Sequence, residues 1–338
     1  MPEVSVLMSV YNGERYLREA IDSILSQTFQ NFEFIIINDG SIDGTNQILE
    51  SYNDPRIIII HQENIGLSKS LNKGLRLSCG EFIARMDCDD ISLPQRLEKQ
   101  LLLMDREPEI GVCGTWIKTI GSDSEEVWNY PASPHEIRCR LIFESVIAHP
   151  SVMLRRSLFE EFNLTYDEKF NQAQDYDLWV RSSEVFPLRN IDEVLLLYRI
   201  HPEQGGIRHA DTKRQLANVI RTGQLSKLGI VPHEEEFKIH EKISYYEFEA
   251  DQDFIINAHS WLIKLYNKNR ELNYYDFDSF RKLLAIRWYL ACENASALGL
   301  TIWKLFSQSP LSKSPNISWL KRFKLFVKCM INYSHNEL

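Results

Sequence analysis

The first hundred residues alternate between short apolar runs and segments with apolar residues at helical spacing. VSVLMSV (4–10), FEFIIIN (32–38), RIIIIH (56–61) and EFIARMD (81–87) are the runs. ERYLREAIDSILSQ (14–27), GTNQILESYN (44–53), LSKSLNKGLRLS (67–78) and PQRLEKQLLLMD (94–105) carry the helical pattern, and Pro94 is placed to open the fourth helix. Continuous β-branched runs suit strands buried on both faces, and intervening helices are the crossovers that parallel pairing requires. The pattern therefore predicts an α/β fold: a parallel sheet with helices on both faces.

After residue 105 the pattern changes. GVCGTWIKTI and EEVWNYP read as short strands, PHEIRCRLIF as a helix, and AHPSVMLRRSLFEEFN as a strand followed by a helix. AQDYDLWVRSSEVF (173–186) reads as a helix with acids at its start, followed by LRNIDEVLLLYRIH (188–201). This stretch is taken as the second half of the same domain. From about Asp211 onward the chain is expected to be largely helical, broken later only by Pro232, Pro310, Pro315 and a few glycines. No fixed-period repeat is present.

Each of the first four runs ends in polar or small residues: Tyr11-Asn12-Gly13, Asp39-Gly40-Ser41, Asn64-Ile65-Gly66 and Asp87-Cys88-Asp89-Asp90. Open α/β sheets bind ligands beyond the carboxyl ends of their strands, so these loops should share one crevice. Three clustered carboxylates suit a hard divalent cation such as Mg²⁺ or Mn²⁺. An acidic turn before the next helix would need one acid, and three repel one another. Glycine-rich phosphate loops of the G-x-x-x-x-G-K-[ST] or G-x-G-x-x-G type are absent, which leaves the metal to hold any phosphates. Asp39 could accept a hydrogen bond from a base N–H, such as N3–H of uracil, or could simply serve an Asp-Gly turn.

Composition narrows the class. The 338 residues are 44% hydrophobic and 25% charged, as in ordinary soluble proteins, and the net charge of −9 argues against a nucleic-acid partner. Six scattered cysteines without short-spaced pairs fit free thiols in a reducing compartment better than a disulfide framework or a zinc site. The N-terminus lacks the pattern of a signal peptide, and no apolar run is long enough for a membrane-spanning helix. A cytoplasmic location follows as the expectation.

SVLMSVYNGERYLREAIDSILSQT, IINDGSIDGT, NIGLSKSLNKG and FIARMDCDDISLPQRLEKQ strongly resemble the family 2 glycosyltransferases of GT-A fold, as do HPSVMLRR, QDYDLWVR and YRIHPEQ. The resemblance covers roughly residues 4 to 205, in order. It implies a GT-A-type nucleotide-binding sandwich with a mostly parallel central sheet as a catalytic domain over 1–205, then a helical region over 206–338. It also implies metal-dependent transfer, with inversion, of a hexosyl or N-acetylhexosaminyl group from a nucleotide-diphosphate donor, of which a UDP-sugar fits best. The acceptor would be a hydroxyl of a saccharide or lipid-linked saccharide in bacterial surface-polysaccharide synthesis.

Residue by residue, the resemblance implies that Ser9, Tyr11, Asn12 and Glu14 contact the nucleoside and that Asp39 reads the base. Asp87 would lie near the ribose and donor sugar, Asp89 would reach the Mn²⁺ or Mg²⁺ ion, and Asp90 would be a further ligand or support. Asn64 and Lys69 match positions near the nucleotide, or terminate a turn and lie in solvent. Arg85 would contact the diphosphate or lock the acids. The family's Glu-Asp pair at a helix start is Gln174-Asp175 here, so the base role carries over to Asp175, while the missing Glu leaves its own role open. Asp175 could otherwise be a first-turn acid favoured by the helix dipole, as Asp177 would be. His149 falls at the edge of the acceptor pocket, and Arg199 and His201 match a segment that closes over the diphosphate. A nucleotidyltransferase and an inactive nucleotide-sugar-binding module are the alternatives. The first would be expected to show a basic, glycine-rich triphosphate loop, and retention of Asp87, Asp89 and Asp175 argues against the second.

The tail, about 316–332, is different in character. SWLKRFKLFVKCMI (318–331) sets Trp319, Phe323, Phe326, Val327 and Met330 on one helical face, with Lys321, Arg322, Lys324 and Lys328 mostly away from it. From residue 311 on there are five basic residues and one acid, Glu337. Such a helix suits peripheral contact with the inner face of the cell membrane, or docking on the catalytic domain or on a second copy in a homodimer.

Overall fold

The structure, a computed structural model, describes residues 1–122, 124–204 and 208–336, with side chains through 331. Glu337 and the residues around the expected break after 205 lie outside the described residues.

The expected alternation is present. Strands β1 (Val4–Val10), β2 (Phe32–Asp39), β3 (Ile57–Gln62) and β4 (Phe82–Met86) alternate with helices α1 (Leu17–Leu25), α2 (Thr45–Glu50) and α3 (Leu67–Leu77). A two-residue strand β5 (Ile91–Ser92) precedes α4 (Arg96–Arg106), which starts two residues after Pro94. Then follow β6 (Val112–Ile120), β7 (Val127–Trp128), α5 (Pro134–Arg140), β8 (Met153–Arg155), α6 (Arg156–Glu161), α7 (Gln174–Ser182) and β9 (Leu188–Arg199). The sheet order is β3-β2-β1-β4-β8-β6-β9-β5, with β7 beside β6. Pairs β3–β2, β2–β1, β1–β4 and β6–β9 are parallel, whereas β8 runs antiparallel to both β4 and β6. The fold is α/β with a mostly parallel central sheet.

Parallel strands covered on both faces explain the continuous apolar runs. Val4, Val6, Met8 and Val10 meet Leu17, Ile21 and Ile24 of α1 and Leu97, Leu101 and Met104 of α4. Leu7 points to the other face, where Gly74 of α3 comes so close that a Cβ there would meet Leu7 Cδ1 at 2.1 Å. Parallel register puts the ends of β1, β2 and β4 side by side, with Val10 opposite Asn38 and Met8 opposite Met86. The four loops therefore emerge along one edge.

The chain divides into two compact units: Met1–Ile137 with Ser145–Ala217, and Arg138–Glu144 with Asn218–Leu338. This differs from a single break at 205, because 138–144 belongs with the later helices and the boundary falls at 217/218. The second unit contains most of α8 (Ala210–Lys227), then α9 (Glu234–Ser244), α10 (Gln252–Leu272), α11 (Phe277–Asn294), α12 (Leu300–Gln308) and α13 (Trp319–Asn336). Its core gathers Trp261, Leu265, Phe280, Leu284, Trp288, Ile302 and Phe306 with Ile142 and Phe143.

Polar side chains hold 138–144 in that core by accepting no compromise on its carbonyls. Arg221 Nε donates to Phe143 O at 2.7 Å, Gln224 to Leu141 O, and His240 Nε2 to Ile142 O at 3.0 Å. Arg287, only 1% exposed, donates to Ile243 O at 2.8 Å and pairs with Glu144, with the Tyr246 ring 3.9 Å beneath its guanidinium. Trp261 Nε1 donates to His240 Nδ1 at 3.2 Å, so the neutral ring has one donor and one acceptor, both satisfied.

Burial, helped by the nearby Arg221 charge, pulls the His240 pKa down to about 3. In the unfolded chain it returns to an ordinary value near 6.5. Between about pH 6.5 and 3 only the unfolded state is protonated there, so this residue should reduce stability as pH falls, by at most about 1.4 kcal/mol per pH unit. Urea midpoints at pH 7 and pH 5 check this: the loss should be smaller in His240→Gln than in the native chain.

Candidate active site

The site begins with the loops after β1 and β2, which are laced together. Asn12, at φ +53°, accepts from Ile42 N at 2.9 Å through its side chain and donates its own N–H to Ser41 Oγ at 2.9 Å. Gly13 N donates to Thr45 Oγ1 at 2.9 Å, and Glu14 accepts from Gly44 N at 2.6 Å. Asn12 and Glu14 thus shape the loop walls, while Tyr11 is exposed and Ser9 half-buried on β1.

Asp39 is buried at the end of β2 and holds the third loop. Its Oδ1 accepts from Gln62 Nε2 at 2.7 Å and Ile65 N at 3.0 Å, and its Oδ2 from Gly66 N at 2.9 Å. Gly40 (φ +76°) lets Asn64 pass, since a Cβ would lie 2.6 Å from Asn64 N. Asn64 itself is exposed, and Lys69 lies at the surface, 3.7 Å from Glu168.

The acids at the end of β4 have distinct partners. Arg85, almost wholly buried, grips both carboxylate oxygens of Asp87. Asp89 Oδ2 lies 3.0 Å from His201 Nε2, and its carbonyl accepts from Arg199 Nε at 2.8 Å. Asp90 Oδ1 accepts from Arg199 N at 2.8 Å, while its buried Oδ2 has no hydrogen-bond partner. Carboxylate oxygens of all three lie within 4.8 Å of one another. Burial raises the pKa of Asp87 to about 6 against the opposing pull of Arg85, with Asp89 adding to the rise. Burial, then Asp89 and Asp87, push Asp90 well above the usual carboxylate range. Crowded oxygen donors with one buried, unpartnered lone-pair set fit a hard divalent cation.

Asp175 lies in the first turn of α7, next to the buried Gln174, whose Oε1 has no hydrogen-bond partner. The charge of Asp175 raises the pKa of both Asp87 and Tyr166. Asp177 is occupied differently: Arg181 binds its Oδ2 through Nε at 2.8 Å and a terminal nitrogen at 2.6 Å. His149 is buried rather than open to solvent, with Nε2 2.8 Å from the Tyr166 phenol oxygen and burial holding its pKa well below the usual value. Tyr166 also closes a main-chain pair with the Asn72 side chain at 2.8 and 2.9 Å. A recess of about 520 Å³ opens there, lined by Asn72, Tyr166, Asp167, Glu168 and Arg181.

Arg199 and His201 form a latch over the acids. Arg199 reaches Glu19 at 2.6 Å and stacks over Tyr16 at 4.4 Å, and Tyr16 also contacts His201, ring to ring at 5.2 Å. Sequence reasoning missed Tyr16, Glu19, Tyr166 and Arg96. Arg96, fully buried, donates to the carbonyls of Arg85 at 2.6 Å and Val152 at 3.2 Å, and thereby braces the end of β4. Burial lowers its pKa to about 9. Nothing in PQRLEK distinguishes it from a solvent-facing helix arginine.

The profile of Glycosyl transferase family 2 matches residues 5–162. An uncharacterized glycosyltransferase of Haemophilus influenzae is 33% identical over 246 residues, 68% of this chain and 76% of that protein. The chain belongs to glycosyl transferase family 2. Another relative in this family, an uncharacterized glycosyltransferase of Methanocaldococcus jannaschii, is 37% identical over 208 residues, 59% of this chain and 71% of that protein. The crystal structure of S. aureus TarS 1–349 in complex with UDP-GlcNAc superposes with a TM-score of 0.58 at 18% identity, covering 87% of this chain and 88% of that one. At that identity the likeness is one of fold.

Asp90→Asn isolates the charge crowding. The amide keeps the acceptor for Arg199 N and removes one buried negative charge from beside Asp87 and Asp89. At neutral pH in chelator the variant should be more stable than the native glycosyltransferase, because a neutral amide cannot carry the charge that burial, Asp89 and Asp87 disfavour there. Denaturant midpoints in EDTA give the sign directly.

Proposed function

We propose that this family 2 glycosyltransferase moves a hexosyl or N-acetylhexosaminyl group from a UDP-sugar to a hydroxyl of a saccharide or lipid-linked saccharide, with inversion, in surface-polysaccharide synthesis. What supports the reading is the cluster of Asp87, Asp89 and Asp90 at the end of β4, together with the charge of Asp175, at the start of α7, acting on Asp87. Metal-bound leaving-group chemistry needs the first and proton abstraction the second.

In this reading the nucleoside lies along the β1 and β2 loops against Ser9, Tyr11, Asn12 and Glu14. Asp39 holds the 64–66 loop and keeps room on Oδ2 for a second donor, which suits a base N–H. Mn²⁺ or Mg²⁺ held by Asp89 and Asp90 with Asp87 would offset charge developing on the departing diphosphate. Arg85 fixes Asp87, and Arg199 and His201 close over that side. The acceptor hydroxyl oxygen bonds to the anomeric carbon as the carbon–oxygen bond to the diphosphate breaks, and its proton passes to Asp175. Attack opposite the leaving group inverts the centre, and no protein nucleophile is required. The polar recess beside Tyr166 suits a hydroxyl-rich acceptor, with His149 positioning Tyr166. Gln174 leaves Asp175 without the second acid expected beside it.

Among the described residues no helix is long and apolar enough to cross a membrane. A cytoplasmic enzyme meeting a lipid-linked acceptor at the membrane surface is compatible with that.

The test compares two neighbouring carboxylates. Asp175→Asn should lower kcat for transfer by about 10²–10⁴-fold with UDP affinity little changed. Asp177→Asn, which removes the partner of Arg181, should act mainly on stability. Near-native transfer by Asp175→Asn would refute the assignment. Donor binding should also require Mn²⁺ or Mg²⁺: calorimetry with UDP in EDTA should show it weakened in the native enzyme, and Asp89→Asn should bind no better with metal than without.

A further inference from the structure

Helix α13 presents two different apolar faces. Leu325 and Cys329 are fully buried in the core of the helical unit, and Phe326 meets Trp303 edge-on at 5.1 Å. Arg322 faces the same way and donates to the carbonyls of Ile317 at 3.1 Å and Ser314 at 3.2 Å. The helix is therefore docked on its own unit. Of the stripe read from the sequence, Phe326 is docked and Val327 half-buried, whereas Trp319, Phe323 and Met330 lie outward.

The outward side chains are exposed. Trp319 is 72% exposed, Leu320 51%, Phe323 56%, Met330 48% and Ile331 53%. At about 100° per residue they span an arc of about 120°, and the docked pair lies about 200° from its middle. Such a concentration of large apolar side chains on one outward arc marks an interaction surface. What it contacts is indicated by charge. Lys324 borders the arc, about 20° past its end, whereas Lys321 lies about 80° past it toward the docked side; both are exposed. Lys321 lies 5.6 Å from the Tyr289 ring, and Lys324 has no acidic partner among the described residues. Lys328, on the same flank, pairs with Glu293 at 2.7 Å. Residues 311–336 contain five basic side chains and no acid, in a chain of net charge −9. An apolar arc with an aromatic at its start and lysines along one flank matches an acyl–headgroup boundary carrying negative charge. Two copies paired antiparallel across the arc would instead bring lysine flank against lysine flank.

We infer that α13 seats the protein on an anionic bilayer surface, with Trp319, Leu320, Phe323, Met330 and Ile331 entering the interface and Lys324 meeting lipid phosphates. This binding needs neither donor nor metal, so its failure is separate from failure of the proposed chemistry.

The test is co-sedimentation of the full chain with vesicles, without nucleotide. Binding should be strong to phosphatidylcholine mixed with phosphatidylglycerol, weak to phosphatidylcholine alone, and reduced by salt. Trp319→Ser/Phe323→Ser/Ile331→Ser alters only exposed side chains, so its melting temperature should match the native value while vesicle affinity falls about tenfold or more. Lys324→Gln should weaken binding to anionic vesicles by about fivefold and leave neutral vesicles unaffected. Native-like sedimentation of the triple variant would overturn the inference, as would absence of binding by the native chain. A concentration-dependent dimer in light scattering, lost in the triple variant and accompanied by no vesicle binding, would assign the arc to a second copy.

Discussion

Arg85 and Asp87 lie two residues apart at the end of β4, one nearly buried and the other half-buried, joined through both carboxylate oxygens. Two more acids follow at once. Like charges this close are tolerable only where cations and donors are fixed around them. The first unit supplies these from distant parts of the chain: Arg96 from α4 beneath Arg85, Arg199 from β9 on the backbone of Asp89 and the carboxylate of Asp90, and His201 on Asp89. The part-antiparallel half of the sheet has a clear role in this light. β9 brings Arg199 back to the end of β4, and β5 pairs with β9 directly after the acids.

The second unit solves a different problem. A short segment, 138–144, leaves the α/β unit and is enclosed by helices, where its carbonyls need donors. Arg221, Gln224 and His240 provide them, and Arg287 satisfies Glu144. Each is a polar or charged residue drawn into a helical core by a backbone group that would otherwise be unpaired.

Some site residues had two readings that only spatial partners could separate. Asp175 and Asp177 are both first-turn acids of α7. Arg181, one helical turn after Asp177, binds it, whereas the field of Asp175 reaches Asp87 and Tyr166. Asp39 was open between a base contact and a turn. It accepts three hydrogen bonds from the 62–66 segment, while Ser41 N donates to Asn38 Oδ1, so Asp39 ties the third loop rather than its own turn. His149 and Lys69 show the opposite limits, one enclosed against Tyr166 and the other loosely paired at the surface.

The alternation of apolar runs and helical spacings was enough to determine the parallel half of the sheet, the crossover helices and the common edge of the four loops, because strand burial and crossover geometry act through local pattern. The acidic cluster was legible for the same reason: its members are adjacent in the chain. Tertiary structure alone decided which arginine braces β4, which α7 acid is paired, where 138–144 belongs and which face of α13 is docked. These depend on contacts between residues far apart in sequence, where a buried arginine and an exposed one, or a docked apolar stripe and a bare one, have the same local pattern.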